Sequence, residues 1–203
     1  MIRRALTLAC IAGLAGCTIN RAPVPYTVME AGEVQVHSDI TLERGTAAAF
    51  EDFTSAGEAY GVMYVAPNGG DHYWRVGSFS ARDVDHEARV KCAAIIQAAC
   101  IRYATINPQS VDLDTAIPAR IERQLRRAMR RTKTGDFVAI AVMPTGAYGY
   151  GFNYDTADEA EARALKECAA EIASEQKTVD ADILPTLIDA GLFECRLFQT
   201  YRR

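Results

Sequence analysis

An internal repeat constrains the fold of this 203-residue chain more than any other feature of its sequence. Shifted by about 76 positions, residues 60–69 (YGVMYVAPNG) align with residues 137–146 (FVAIAVMPTG). Both segments are typical of a buried strand that ends in a Pro-x-Gly turn. Residues 72–78 and 148–154 follow as a second strand, so the sequence predicts two copies of one hairpin.

A helix follows the hairpin in each copy. Ser80 precedes Asp83 by three positions, and Thr156 precedes Glu159 in the same way, which is the capping-box pattern of a helix start. Each helix then leads to a third strand. The sequence therefore predicts an α+β fold, in which two ββαβ repeats form antiparallel sheet covered by helices and a basic helix joins the repeats.

The N-terminus carries the pattern of a bacterial lipoprotein signal. Arg3 and Arg4 precede an apolar run that is too short to span a bilayer and that ends in Leu-Ala-Gly before Cys17. These four residues resemble a lipobox, which implies cleavage after residues 1–16 and a diacylglycerol on the Cys17 thiol. A plain secretory signal is the alternative. Because Thr18 rather than Asp follows the cysteine, the sorting rules of bacteria with two membranes imply anchoring to the outer membrane.

Four cysteines remain after Cys10 leaves with the signal and Cys17 is lipidated. In an exported protein such cysteines form disulfides, and four of them allow three pairings. Their equivalent positions in the two copies predict bonds within each repeat, between Cys92 and Cys100 and between Cys168 and Cys195. Zinc binding is the alternative, but the cysteines lack C-x-x-C spacing and the three histidines are scattered. We predict no metal and no cofactor.

The second copy contains four distinctive motifs: FVAIA at 137–141, YGY at 148–150, EA at 159–160 and ALKEC at 164–168. In these motifs it resembles a bacterial family, the domain of unknown function 4189. The first copy keeps the hairpin, Ala88 and Cys92 but lacks the Gly-Tyr signature, and residues 173–194 are an insertion in the second copy. The resemblance implies an exported or cell-surface location and no particular activity, because the function of the family is not established.

The remaining segments connect these units. We divide the chain into a signal peptide (1–16), a tether (17–32), an N-terminal strand and short helix (33–55), repeat one (56–107), a basic helical connector (108–133) and repeat two (134–203). In the segment 33–55, alternating apolar residues from Val34 to Leu42 predict a strand, and 46–55 predicts a helix that turns Phe50 and Phe53 inward.

The basic connector is the sharpest candidate for a binding surface. Its basic residues are Arg120, Arg123, Arg126, Arg127, Arg130, Arg131 and Lys133, and its apolar stripe is Ile121, Leu125, Ala128 and Met129. The formal net charge of the chain is −4 and becomes −6 without the two arginines of the signal, which argues against nucleic acid as a partner. Arg120, Arg123, Arg127 and Arg130 are the candidates for binding anionic lipid, lipopolysaccharide phosphate or an acidic protein surface. A solvated helix packed by its apolar stripe is the interpretation that we favour.

Other candidate sites have structural interpretations that we favour. One face of the second hairpin strand carries Tyr148, Tyr150, Phe152 and Tyr154, which we expect to be buried beneath the helix of that repeat rather than exposed for stacking on sugars. His72 beside Asp71 could be a general base, but a turn role fits better. Asp112 and Asp114 are too few for a calcium site.

These observations point to an envelope protein that binds rather than catalyses. We expect an exported, membrane-anchored lipoprotein whose repeats bind a protein or a cell-envelope component. The alternatives are a hydrolase acting on envelope polymers and a structural envelope component.

Overall fold

The computed structural model describes residues 27–108 and 116–203 of the chain. Cys17, the signal segment, Asp112 and Asp114 lie outside the described residues. The first half contains β1 (Thr27–Met29), β2 (Glu33–Val36), α1 (Arg44–Ser55), β3 (Gly61–Val65), β4 (His72–Val76), α2 (Ala81–Ile96) and β5 (Ile101–Asn107). The second half contains β6 (Ala116–Pro118), α3 (Ala119–Arg131), β7 (Phe137–Val142), β8 (Tyr148–Tyr154), α4 (Ala157–Gln176), α5 (Leu184–Asp189) and β9 (Arg196–Arg202).

Two antiparallel sheets form the body of the protein, and helices cover them. One sheet has the strand order β2-β5-β3-β4 and the other has the order β8-β7-β9, while β1 and β6 form a separate parallel pair. In each repeat the first hairpin strand lies in the middle, with its hairpin partner on one side and the third strand on the other. The α+β fold predicted from the sequence is confirmed.

Fine details of the two copies also correspond. Gly69 and Gly146 both have positive φ angles, 77° and 86°, and their amides donate to Ala66 and Met143 respectively at 2.9 Å. These left-handed conformations explain the glycine of each Pro-x-Gly turn. The pairing with the third strand shifts register after Met63 in one copy and after the aligned residue, Ile140, in the other. The repeat is therefore structural as well as sequential.

The capping boxes start both long helices as the sequence predicts. The amide of Asp83 donates to Ser80 Oγ at 3.2 Å, and the amide of Glu159 donates to Thr156 Oγ1 at 3.3 Å. These bonds satisfy amides that the first turn of a helix leaves without an intrahelical partner.

The structural repeat is longer than the sequence alignment indicates. α1 packs on the face of the first sheet opposite to α2, where Phe53 meets Met63 and Val65. α3 packs in the same way on the face of the second sheet opposite to α4. Both helices end five residues before the central strand of their sheet. The basic connector is thus the first helix of an αββαβ unit, equivalent to α1, and each sheet lies between two helices.

The predicted tether, residues 17–32, is shorter than expected. Its end forms β1, and Met29 is only 2% exposed. Met29 is buried in the core between α2 and the first sheet, which explains why this segment joins the fold rather than extending into solvent. The predicted strand from Val34 to Leu42 also ends early, at Val36, and Leu42 packs instead against the core beneath α1.

Several contacts join the two repeats. The Ser78 hydroxyl donates to the Pro144 carbonyl at 3.3 Å, and Phe79 packs edge-on against Tyr148 and Phe198 in the core of the second sheet. At the start of α2, Asp83 forms an ion pair with Arg196 at 2.5 Å. The loops and caps of the first repeat therefore supply part of the core of the second.

Candidate functional site: the outward face of α3

The inward face of α3 is fully used in packing. Ile121 and Leu125 are completely buried, and with Ala128 and Met129 they pack against the β7 residues that face away from α4, namely Val138, Ile140 and Val142. An apolar stripe at this spacing fixes the rotation of the helix about its axis. The opposite face must consequently point to solvent.

That outward face carries exposed arginines that have no carboxylate partners among the described residues. Arg123, Arg127 and Arg130 are exposed, and none of them forms an ion pair with any carboxylate in the part of the chain that the structure describes. Arg126 differs, because it pairs with Glu122 one turn earlier. Arg120 begins the same row in the first turn of α3, and its side chain lies outside the described part of the structure.

The C-terminus of the chain holds the end of α3. The Arg203 guanidinium donates to the Thr132 carbonyl and, at 3.4 Å, to the Arg130 carbonyl. The Gly135 amide in turn donates to the Arg203 carbonyl at 2.7 Å. A cation at the C-terminal end of a helix is favoured by the helix dipole. This capping orders the end of the basic row without neutralising it.

The N-terminal strand enters the fold beside this helix. β1 pairs in parallel with β6, and β6 runs directly into α3 at Ala119. Val28 packs against the core beneath α3. The ten residue steps from Cys17 to Thr27 reach at most about 35 Å when fully extended. A lipid on Cys17 would therefore keep Thr27, where β1 begins beside the strand that leads into α3, within about 35 Å of its membrane.

Both disulfides expected from the repeat are present in the structure. Cys92 is bonded to Cys100 and Cys168 to Cys195, with Cα–Cα distances of 6.2 and 6.0 Å. Each bond joins a helix to the third strand of its own repeat. The insertion at residues 173–194 does not disturb the second bond, because it extends α4 and adds α5, whose Leu187 is buried against the same core.

Tyr148 and Tyr150 of β8 do not lie beneath α4, contrary to the expectation from the sequence. Gly149 and Gly151 face α4, whereas Tyr148 and Tyr150 pack on the α3 side of the sheet. Asn153 has a φ of 66° and interrupts the alternation, so that the next residue, Tyr154, packs in the core beneath α4. The prediction failed because the alanine face of α4 packs against glycine rather than against large rings.

His72 has a structural role in the observed geometry. Its Nδ1 lies 3.2 Å from Thr46 Oγ1, and Thr46 is buried in the first turn of α1. The neighbouring Asp71 accepts the Ala66 amide through its backbone carbonyl, which closes the turn. The pair links α1 to the hairpin, in agreement with the turn interpretation.

A buried ionic group lies between α2 and the first sheet. Glu87 is 1% exposed, and its carboxylate lies 2.9 Å from Arg75 Nε and 2.8 Å from Lys91 Nζ. Burial raises the pKa of the nearby Tyr73 hydroxyl, and the Glu87 carboxylate raises that pKa further. Burial lowers the pKa of Lys91, but attraction and hydrogen bonding to Glu87 and Tyr73 together outweigh burial, and the net shift of this pKa is upward.

A groove along β8 could not be anticipated from the sequence. It consists of two adjoining hollows of about 400 and 480 Å³ that share Tyr148 and Glu171. Glu167 and Arg163 of α4 line one hollow, and Glu175 lines the other. No sequence pattern marks this groove, because it depends on which strand lies at the edge of its sheet.

Among residues 27–108 and 116–203, no three His, Cys, Asp or Glu side chains come together as a metal site requires. Over the same ranges, no helix is both long and apolar enough to cross a membrane. No family model, no curated protein and no solved structure matches the chain.

Proposed function

We propose that this protein is an exported lipoprotein of the bacterial envelope, anchored through Cys17, whose double repeat is a non-catalytic binding module. The outward face of α3 is its binding surface. The ligand groups are phosphates or carboxylates, supplied by anionic lipid, by lipopolysaccharide or by an acidic protein. Anchoring to the outer membrane and the resemblance to the domain of unknown function 4189 stay predictions.

One observation supports this proposal above the others. Arg123, Arg127 and Arg130 form an exposed row without carboxylate partners among the described residues, although the chain as a whole is acidic. Arginine pairs with phosphate and carboxylate through two parallel N–H bonds, so a row of uncompensated arginines suits an anionic surface. The position of β1 next to β6 and α3 supports the same orientation toward a membrane.

Vesicle binding tests the proposal. Residues 18–203, produced in an oxidising compartment, are mixed with vesicles of phosphatidylglycerol and phosphatidylcholine and with lipopolysaccharide, at low and high salt. Each arginine near an anionic surface contributes about 1 kcal/mol, so Arg123→Gln, Arg127→Gln and Arg130→Gln together should weaken binding roughly 100-fold. Salt should weaken binding by the unchanged protein.

A matched variant separates this surface from net charge. Arg82, Lys166 and Lys177 are exposed and belong to other segments, and changing all three to Gln removes the same charge. That variant should retain binding. Equal loss in both variants would show that only net charge matters, and unchanged binding in the α3 variant would show that α3 is a solvated helix.

A further inference from the structure

β8 is an edge strand of its sheet, and no described strand pairs with its outer side. It is the last strand of the order β8-β7-β9. The Met143 amide donates to the Ala147 carbonyl at 2.8 Å, so Met143 and Ala147 form a hydrogen-bonded pair. From this pair, non-hydrogen-bonded and hydrogen-bonded pairs alternate along β7 and β8. Along β8 the backbone amides and carbonyls of Tyr148 and Phe152 consequently point away from β7. Strand edges of this kind pair readily with another extended chain.

α4 runs close beside this edge and carries acidic side chains along it. Glycine at 149 and 151 allows the close approach, since a Cβ at either position would meet the α4 backbone. Glu171 and Glu175 stand one helical turn apart, which is a rise of about 6 Å. Alternate residues of a β-strand are about 6.8 Å apart. A strand added to β8 would therefore present every second side chain at nearly the spacing of these glutamates.

The lining of the groove suits a cationic segment. Two arginines also line the groove, but Arg163 is paired with Glu167 and Arg75 is paired with Glu87. Glu171 and Glu175 form no ion pair with the described residues. The half-buried rings of Tyr148 and Tyr150 contact each other edge-on and also line the groove, where aromatic faces attract cations.

An unsatisfied polar atom lies at the end of the groove nearest the β7–β8 turn. Thr145 lines that hollow and is only 6% exposed, yet its Oγ1 has no hydrogen-bond partner among the described residues. A buried hydroxyl without a partner costs free energy that an incoming polar group would recover. This second observation is independent of the glutamates.

We propose that the edge of β8 is the docking site for an extended basic segment of a partner protein. The segment adds a strand to the second sheet, and its lysine or arginine side chains at every second position face Glu171 and Glu175. Backbone pairing supplies affinity, and the glutamate spacing supplies selectivity. The site is separate from the outward face of α3, and binding here does not require that face.

Peptide binding to the full-length chain, purified in a neutral detergent, tests the site. The probe is a fluorescent heptapeptide of alternating lysine and valine, followed by anisotropy. Glu171→Gln with Glu175→Gln should weaken binding about tenfold. Asp182→Asn with Asp189→Asn removes the same charge at exposed positions outside the groove and should leave binding unchanged. Equal affinity in all three proteins would overturn the proposal.

Two further probes distinguish edge pairing from charge attraction. A peptide of the same sequence, N-methylated at every second residue, cannot donate to the strand edge and should bind at least tenfold more weakly. Equal binding by this peptide would overturn the added strand. Light scattering tests whether a second copy of this chain occupies the edge instead. Concentration-dependent assembly that the two glutamate substitutions abolish, and that excess peptide does not change, would identify the second copy as the occupant and overturn the proposal.

Discussion

Replacement of Gly151 by alanine probes the closest approach of α4 to the second sheet. A Cβ on Gly151 would lie 1.9 Å from the Ala160 carbonyl oxygen and 2.7 Å from its carbonyl carbon. Both atoms belong to the backbone of α4, so no side chain can rotate away to relieve the contact. Either the helix must move or the strand must bend. Gly149 is confined in the same way, 2.2 Å from the Cys168 amide nitrogen.

The expected loss of stability is large for the addition of one methyl group. Overpacking in a core costs about 1–3 kcal/mol, and contact with helix backbone that cannot rotate away places Gly151→Ala at the upper end. Alanine also restricts the unfolded chain, which returns about 0.4–1 kcal/mol. We therefore expect the free energy of unfolding to fall by roughly 2–3 kcal/mol, which corresponds to a drop of roughly 4–12 °C in the melting temperature of a chain of this size.

Urea unfolding followed by circular dichroism measures this change. Gly45 provides the control, because it lies in α1 and a Cβ there would meet no atom within 4 Å. Gly45→Ala should leave the protein as stable as before or stabilise it by up to about 1 kcal/mol. If Gly151→Ala also unfolds at the same or a higher urea concentration than the unchanged protein, α4 does not lie against β8 as described.

The remaining predictions concern the anchor, the disulfides and alkaline pH. Mass spectrometry of the mature N-terminus should find a diacylglycerol on Cys17, and an unmodified cysteine there would contradict the lipoprotein assignment. Peptide mapping without reduction should recover one disulfide within each repeat, whereas a bond between Cys92 and Cys168 would contradict the repeat alignment. Burial raises the pKa of Tyr73 in the folded state. The stability that its protonated hydroxyl contributes to the fold is therefore fully present below about pH 10 and is lost as pH rises through the folded pKa. Tyr73→Phe should reduce this alkaline loss in urea unfolding measured from pH 8 to 11.5.

The features that the sequence predicts correctly depend on local chemistry. A hydroxyl residue with an acid three positions on, followed by an amphipathic run, favours a helix start, and both Ser80 and Thr156 start one. The Pro-x-Gly turns and the hairpins follow from residues that lie close together in the chain. The outward row of arginines on α3 also follows from helical periodicity, because the stripe of Ile121 and Leu125 defines the opposite face.

The equivalence of α1 and α3 could not be predicted from residue identity. Phe53 anchors α1 on the first sheet, whereas Leu125 and Met129 anchor α3 on the second. The two helices share no recognisable pattern, and α3 carries six arginines where α1 carries one. Their common role appears only in the structure. Side chains of the central strands alternate between the two faces of each sheet, and the aligned residues Met63 and Ile140 both face the first helix of their unit.

The orientation of the aromatic residues depends on a contact distance that composition does not reveal. An alanine-rich helix can pack either on large side chains at a distance or on glycine at close range. Gly149 and Gly151 select the second arrangement, which sends Tyr148 and Tyr150 to the other face. The groove beside β8 arises from the same contact, since the close approach of α4 brings its glutamates to the strand edge.

The two copies differ at two aligned positions, and these differences explain why the groove lies in the second copy and not in the first. Where the second copy has Gly149 and Gly151, the first has Tyr73 and Arg75. Arg75 reaches Glu87 in α2 and also donates to the Thr145 carbonyl in the β7–β8 turn. Arg75 of the first copy therefore joins the repeats, while the glycines of the second admit α4 beside the groove. Restoring bulk at the glycine positions would remove the groove without supplying a new link between the repeats, because α4 carries Arg163 at the position aligned with Glu87.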